Sequence, residues 1–144
     1  MSELPVTYRG VVYPWHCDHM GHMNVMWYVG KFDEATWHVF GQLGLTRSFL
    51  REHQRGMAGL QQNIAYKREL YAGDMITVRS GILEIKEKVV QFFHEMRNEE
   101  TGEISAVTVL VAVHTDTQTR KSCPFPEEIL ARGRGMIVEY DPGL

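Results

Sequence analysis

The sequence predicts a single α+β domain in which one long helix lies beside one mostly antiparallel sheet. The chain has 144 residues, a usual length for one domain. Its hydrophobic pattern gives one strand, one long helix and then four strands in succession. Tight turns join the later strands, so neighbouring strands are expected to run in opposite directions. A helix layer packed on a curved sheet is a common α+β architecture.

The first strand is predicted over residues 7–15, where Val11, Tyr13 and Trp15 share one face. A long amphipathic helix follows over residues 25–43. Asn24 is its expected N-cap, because an Asn side chain accepts hydrogen bonds from the free N–H groups of a first turn. The residues assigned to the core face of this helix are Val25, Val29, Phe32, Val39 or Phe40, and Leu43.

The second half of the chain is dominated by predicted strands. They follow a short helix near residues 46–55 and cover 60–70, 75–86, a segment around Phe92, and 104–115. A change of apolar face beside Gly81 predicts a β-bulge. The β-branched run in 104–115 is typical of a central strand that is covered on both sides. A short helix is expected to begin near Pro126.

Composition excludes several functional classes. The chain has 15 Lys and Arg against 18 Asp and Glu, a net charge of −3, which argues against nucleic acid as the main ligand. No apolar stretch has the length of a membrane helix, so no membrane association is expected. The chain start shows no secretory signal. Because Cys17 and Cys123 are the only cysteines, we expect a cytoplasmic protein with reduced thiols.

The segment 16–24 is the best candidate for chemistry. It places three histidines, an aspartate, a cysteine and a glycine directly before the long helix. The first N–H groups of a helix are unpaired and carry partial positive charge, so the N–H of Val25 or Met26 could hold an oxyanion. Asp18 lies close enough in sequence to face the same substrate carbonyl. A carboxylate beside an N–H donor is a minimal acyl-transfer site, although Asp18 could instead cap a turn.

These residues resemble the signature of the hotdog-fold acyl-CoA thioesterases, in the 4-hydroxybenzoyl-CoA thioesterase and YbgC-like superfamily. The signature is an aromatic-ended first strand, an aspartate, a glycine and a Tyr-bearing helix, matched here by residues 13–28 with Asp18, Gly21 and Tyr28. Residues 66–74 resemble the family's second strand and turn. The resemblance implies a hotdog fold, one thioesterase domain over 1–144, and hydrolysis of a small or medium acyl-CoA to the acid and coenzyme A.

The resemblance also implies a role for individual residues. Asp18 matches the catalytic aspartate, which attacks the thioester carbonyl or activates water. Val25 matches the position whose backbone N–H holds the thioester oxygen. Lys86 and Lys88 match a strand that contacts coenzyme A phosphates in some members. The resemblance implies no metal and no redox cofactor. Coenzyme A enters only as part of the substrate. The expected assembly is a homodimer or a homotetramer.

The candidate substrate-binding residues are Trp15, His22, Asn24, Trp27, Gln62 and Asn63. Asn24 could be a pure helix cap, and His22 could orient Asp18 or only bond within the loop. Trp15 and Trp27 flank the proposed site, and aromatic faces bind quaternary ammonium groups. Because thioesterases of the kind that the sequence resembles also occur in carnitine and betaine metabolism, the resemblance makes a trimethylammonium acyl group such as betainyl one candidate for the acyl part of the substrate.

Three other interpretations of the same segment remain open. A metal site would need a helical arrangement of its histidines, which Gly21 disfavours. A hydratase or dehydratase of acyl thioesters on the same fold requires Asn and His where this chain has Met20 and Met23. A non-catalytic acyl-CoA-binding protein is the remaining alternative, and release of free thiol distinguishes it from a thioesterase.

Overall fold

The computed structural model describes residues 4–144; residues 1–3, part of the chain start considered above for a secretory signal, lie outside this range. No helix within 4–144 combines the length and the hydrophobicity needed to cross a membrane. The helices and strands, in chain order, are β1 (Val6–Val11), α1 (Val25–Leu43), α2 (Arg47–His53), β2 (Arg55–Tyr66), β3 (Met75–Ile85), β4 (Val89–Asn98), β5 (Ile104–Asp116), β6 (Lys121–Ser122) and α3 (Glu127–Arg134).

The strands form one sheet in the order β1-β3-β4-β5-β2, and the short β6 pairs with the end of β5. Each strand pair is antiparallel. The predicted mostly antiparallel α+β fold is therefore confirmed. Within the described chain β1 and β2 are the two sheet edges, and most of the central part of β2 is exposed.

The hydrophobic core forms where α1 packs on the sheet, and it has two adjoining clusters. Near the start of α1, Tyr28 and Phe32 pack with Ile76 and Met96 of the sheet. Near its end, a second cluster forms around residues 39–45. The helix therefore runs along the strands, so its N-terminus lies at the sheet end where β3 begins. This orientation determines which strand ends lie close to the candidate site.

The α1 termini are as predicted. The Asn24 side chain accepts a hydrogen bond from the Met26 N–H, and Gly44 adopts a φ of 99°, a left-handed conformation that glycine adopts readily. The bulge beside Gly81 is also confirmed, because the register between β3 and β4 shifts between Ile82 and Glu84.

The predicted core face of α1 is partly wrong. Val25 and Val29 are 55% and 39% exposed, whereas Tyr28 and Phe32 are buried. The buried face thus lies along 28, 32, 35, 39 and 43, and the two valines lie on the neighbouring face. Because valine is apolar on either face, the pattern alone does not distinguish the two arrangements.

Three predicted strands also need correction. β1 ends at Val11 instead of residue 15, because Pro14 begins a 3₁₀ turn over Pro14–His16. β2 begins at Arg55, earlier than the expected residue 60. In β5 the side chains of 109, 111 and 113 are half-buried in the single chain, so the predicted double coverage is incomplete.

Candidate active site

The segment 16–24 folds as a short hairpin that precedes α1. The Asp18 N–H donates to the His22 carbonyl at 3.2 Å, and the Asn24 N–H donates to the His16 carbonyl at 2.8 Å. Gly21 makes the reversal possible with a φ of 88°. Met23 anchors the hairpin, since its side chain is only 1% exposed. These contacts fix Asp18 relative to the first residues of α1.

The Asp18 carboxylate is held by two hydrogen bonds. Oδ2 accepts from the Asn24 side-chain Nδ2 at 2.7 Å, and Oδ1 accepts from the Met20 N–H at 2.8 Å. These bonds, the Asn24 bond first, lower the pKa of Asp18, and His22 and His19 act in the same direction. The carboxylate is half-buried and ionised at neutral pH, so a charged group faces solvent beside the helix start.

One Asn24 side chain connects this carboxylate to the N-terminus of α1. Its Nδ2 donates to Asp18, while its Oδ1 accepts from the Met26 N–H at 2.9 Å. The Trp27 N–H donates to the Asn24 carbonyl at 3.0 Å. The N–H of Val25 has no acceptor among residues 4–144. The arrangement thus presents one free N–H donor and one carboxylate on the two sides of Asn24, as acyl transfer requires.

The sequence analysis considered Asn24 either as a helix cap or as a substrate contact, and the structure gives it an additional role. It is a helix cap, as predicted, and it also orients Asp18. His22 does not take the orienting role: its Nε2 lies 3.7 Å from a Glu69 carboxylate oxygen, and its Nδ1 lies 3.4 Å from the Met23 carbonyl oxygen.

Trp15 and Trp27 line a hollow of about 450 Å³ beside the hairpin, together with Tyr8, Tyr13, His16, Lys31 and Glu34; we call it the aromatic hollow. The Tyr13 and Trp15 rings stack at 4.5 Å, and the His16 ring lies 4.4 Å from Trp27. Burial, and then Lys31, lower the pKa of His16. The Lys31 ammonium lies 5.3 Å from the centre of the Tyr8 ring. The two tryptophans thus line the hollow with other rings already in contact with them, and their role as substrate contacts stays a prediction.

A second pocket, of about 380 Å³, lies on the other side of α1, between this helix and β2; we call it the α1–β2 pocket. Gln62 lines it, whereas Asn63 is exposed on β2, and the Asp18 carboxylate accepts its hydrogen bonds from Asn24 and Met20 instead. The helix contributes residues that the sequence analysis did not select, namely Val29, Asp33, Thr36, Trp37 and Phe40. These residues recur at spacings of three or four along the helix, which places them on one face. This spacing is the sequence pattern that could have identified them as lining a pocket.

Lys86 and Lys88 lie in the turn between β3 and β4. Because β3 begins beside the hairpin and runs from Met75 to Ile85, this turn is at the opposite end of the sheet, roughly 33 Å away at about 3.3 Å per residue. The structure therefore does not bring the two lysines to Asp18 of the same chain. Within residues 4–144, no three His, Cys, Asp or Glu side chains are grouped as they would be around a metal ion.

The sequence matches the family model of the thioesterase-like superfamily over residues 12–133. The chain belongs to this superfamily. It is 25% identical over 132 residues to the betainyl-CoA thioesterase of Pseudomonas aeruginosa, covering 92% of this chain and 83% of that protein. It is 23% identical over 115 residues to the L-carnitine dehydrogenase/betainyl-CoA thioesterase of Rhizobium meliloti, covering 80% of this chain and 23% of that longer protein.

The fold of this chain is also similar to that of solved structures. A Staphylococcus aureus protein solved in complex with CoA superposes with a TM-score of 0.87 at 20% identity, covering 99% of this chain and 92% of that one. This likeness confirms the predicted hotdog fold. The family match and the relatives confirm the predicted enzyme class, an acyl-CoA thioesterase that hydrolyses thioesters.

Proposed function

We propose that the protein hydrolyses a small or medium acyl-CoA at a site formed by Asp18 and the free N–H of Val25. The observation that carries this proposal is the double hydrogen bonding of Asn24. It holds the carboxylate at 2.7 Å on one side and caps the helix through the Met26 N–H on the other. The carboxylate and the free donor are thereby held in one fixed arrangement before substrate binds, which is the condition for efficient electrostatic catalysis.

In the proposed reaction the thioester oxygen accepts a hydrogen bond from the Val25 N–H, which stabilises the negative charge that develops there. If Asp18 is the nucleophile, a carboxylate oxygen bonds to the acyl carbon, the C–S bond breaks, and coenzyme A leaves as a thiolate that takes a proton from solvent. Water then hydrolyses the mixed anhydride to the free acid. If Asp18 is the base, it takes a proton from the water that attacks the same carbon, the C–S bond breaks as the tetrahedral intermediate collapses, and coenzyme A leaves as a thiolate that takes up a proton.

The lowered pKa of Asp18 favours the nucleophilic route. A general base works best when its pKa lies near the working pH, and the hydrogen bonds from Asn24 and Met20 move the pKa of Asp18 further below that range. A nucleophilic carboxylate needs only to be ionised and aimed at the carbonyl carbon.

The exposed edge strand β2 supports the proposed homodimer, with a homotetramer as its higher assembly. An unpaired edge is a template for strand pairing, and Leu60 on this strand is 61% exposed. When the β2 strands of two copies pair in an antiparallel arrangement, the sheet of the second copy points in the opposite direction to that of the first. The turn with Lys86 and Lys88 of a second copy then lies at the same sheet end as Asp18. Gln62 and Asn63, on the paired strand, remain proposed substrate contacts.

The proposed substrates include acyl groups that carry a trimethylammonium cation, because both curated relatives are named for betainyl-CoA hydrolysis.

A cytoplasmic location is proposed as well. Cys17 and Cys123 are free thiols in the structure, in keeping with a reducing compartment.

The direct test is thiol release from a panel of acyl-CoAs that varies in chain length and charge. The proposal expects turnover of at least one small or medium acyl-CoA and proportional appearance of the free acid. Absence of thiol release across the panel with folded protein would overturn it. Binding of acyl-CoA without turnover would instead support a non-catalytic carrier.

A further inference from the structure

We infer that the α1–β2 pocket binds the acyl group and selects a positively charged one, with Asp33 and Trp37 as the specificity-determining residues. The inference rests on the proposed function, since it concerns the acyl part of the same substrate. Asp33 is the single ionisable residue among those lining the pocket, and the remaining lining is apolar, aromatic, hydroxyl or amide. A cation therefore meets one opposite charge and no like charge in this pocket.

The position of the pocket relative to the catalytic residues supports this assignment. Val29, Asp33 and Trp37 lie one turn apart along α1 and line the pocket together, and Val25 lies one turn nearer the N-terminus than Val29. At about 1.5 Å of rise per residue, Asp33 lies roughly 12 Å beyond Val25, and helical side chains incline back towards the N-terminus. A thioester held at the Val25 N–H can thus extend its acyl group past Val29 towards Asp33.

This spacing also indicates the length of the acyl group. In betainyl-CoA the ammonium is two bonds from the thioester carbon, which leaves it well short of Asp33. An ammonium roughly eight bonds from that carbon spans the ~12 Å along the helix and reaches the Asp33 carboxylate. The expected preference for charge is therefore greater for the longer acyl group.

The chemistry of the lining suits a quaternary ammonium. Within residues 4–144 no Lys, Arg or His forms an ion pair with Asp33. Asp33 is exposed in the single chain, and a neutral apolar acyl group that covered its carboxylate would remove water without replacing it, which is unfavourable. Trp37 is 49% exposed, and its indole is the aromatic surface that binds a cation most strongly.

The aromatic hollow, where sequence analysis placed the trimethylammonium group, is less suitable. Its Lys31 ammonium already occupies a cation–π position over Tyr8 and would repel a second cation. The His16 ring lies against Trp27, and Tyr13 stacks on Trp15. The hollow therefore offers a cationic ligand a like charge at Lys31, beside the Glu34 carboxylate, and aromatic faces that are partly covered.

The test compares cationic acyl-CoAs with neutral isosteres of the same shape. The pairs are betainyl-CoA with 3,3-dimethylbutanoyl-CoA, and 8-trimethylammoniooctanoyl-CoA with 9,9-dimethyldecanoyl-CoA. The readout is the ratio of kcat/KM within each pair. In the longer pair we expect Asp33→Asn to lower this ratio about tenfold, equivalent to ~1.4 kcal/mol, while kcat/KM for the neutral substrate is unchanged or rises. Trp37→Leu should lower the ratio severalfold.

Two matched variants control the experiment. Asp33→Glu keeps the charge and should retain most of the preference, and Glu34→Gln removes the adjacent carboxylate, in the aromatic hollow, and should leave the ratio unchanged. Equal hydrolysis of both members of each pair, unaffected by Asp33→Asn, overturns the inference and leaves the thioesterase function intact. A fall in the ratio with Glu34→Gln but not with Asp33→Asn places the cation in the aromatic hollow and also overturns it. Hydrolysis of none of the four substrates, nor of the wider panel, overturns the proposed function itself.

Discussion

Replacing Val25 with proline removes one backbone N–H from the site and leaves the rest of the helix start in place. Proline is well tolerated at the first position of a helix, where the N–H has no partner inside the helix. Here the Val25 N–H has no acceptor among residues 4–144. The preceding residue also fits, since Asn24 has a ψ of 148°, in the region that a following proline favours.

The structure allows the two effects of this substitution to be separated. Val25 is 55% exposed and no helical hydrogen bond is lost, so the free energy of unfolding should change by less than about 1 kcal/mol. If the N–H stabilises the developing oxyanion, kcat should fall about 10²- to 10³-fold, which is typical for loss of one oxyanion donor. KM should change little, because the donor acts mainly in the transition state.

The assay is thiol release under saturating acyl-CoA, with thermal unfolding measured on the same preparations. Val25→Ala is the matched control, because it shortens the side chain and keeps the N–H. If Val25→Pro remains within a few-fold of Val25→Ala while its helix is intact, the thioester oxygen is held elsewhere.

Three further predictions address binding, stability and assembly. Lys88→Ala should raise KM for acyl-CoA at low salt with little change in kcat, and added salt should reduce this difference; a KM that is unchanged at every salt concentration places the phosphates elsewhere. His94 is buried between Thr36 and Ser80, and burial lowers its pKa to about 3. Because the unfolded chain binds this proton more readily, the free energy of unfolding should fall as the pH drops from about 6.5 towards 3, by up to ~1.4 kcal/mol per pH unit, and His94→Gln should reduce that slope in denaturant titrations. Sedimentation at micromolar concentration should show a dimer or tetramer, and a stable monomer contradicts pairing at β2.

The order and type of the elements were predictable because periodicity and capping are local. Asn24 and Gly44 bounded α1 correctly, and the face change beside Gly81 identified the bulge. The hydrophobic pattern was less informative at positions where an apolar residue can either pack in the core or line a pocket. Val29 is apolar and was assigned to the core, but it lines the α1–β2 pocket with Asp33.

The candidate site was only partly predictable, because it depends on contacts between distant segments. Asp18 and the helix start were selected from sequence, and the hydrogen bond that couples them through Asn24 was not. That bond requires the hairpin, which is held by the Met23 N–H donating to the Leu70 carbonyl at 2.7 Å, from a segment far along the chain. The separation of Lys86 from Asp18 likewise follows from strand direction, which no local pattern contains.

The central claim, that Asp18 carries out the chemistry, is tested most directly by Asp18→Asn, with turnover and binding measured separately. The amide keeps the size and polarity of the side chain and lacks the negative charge, so kcat should fall about 10²- to 10⁴-fold. Binding of coenzyme A, measured by calorimetry, should be nearly unchanged. Glu34→Gln, which removes an exposed helix carboxylate, should retain activity. Near-normal turnover in Asp18→Asn together with its loss in Glu34→Gln would contradict the account and place the catalyst on α1.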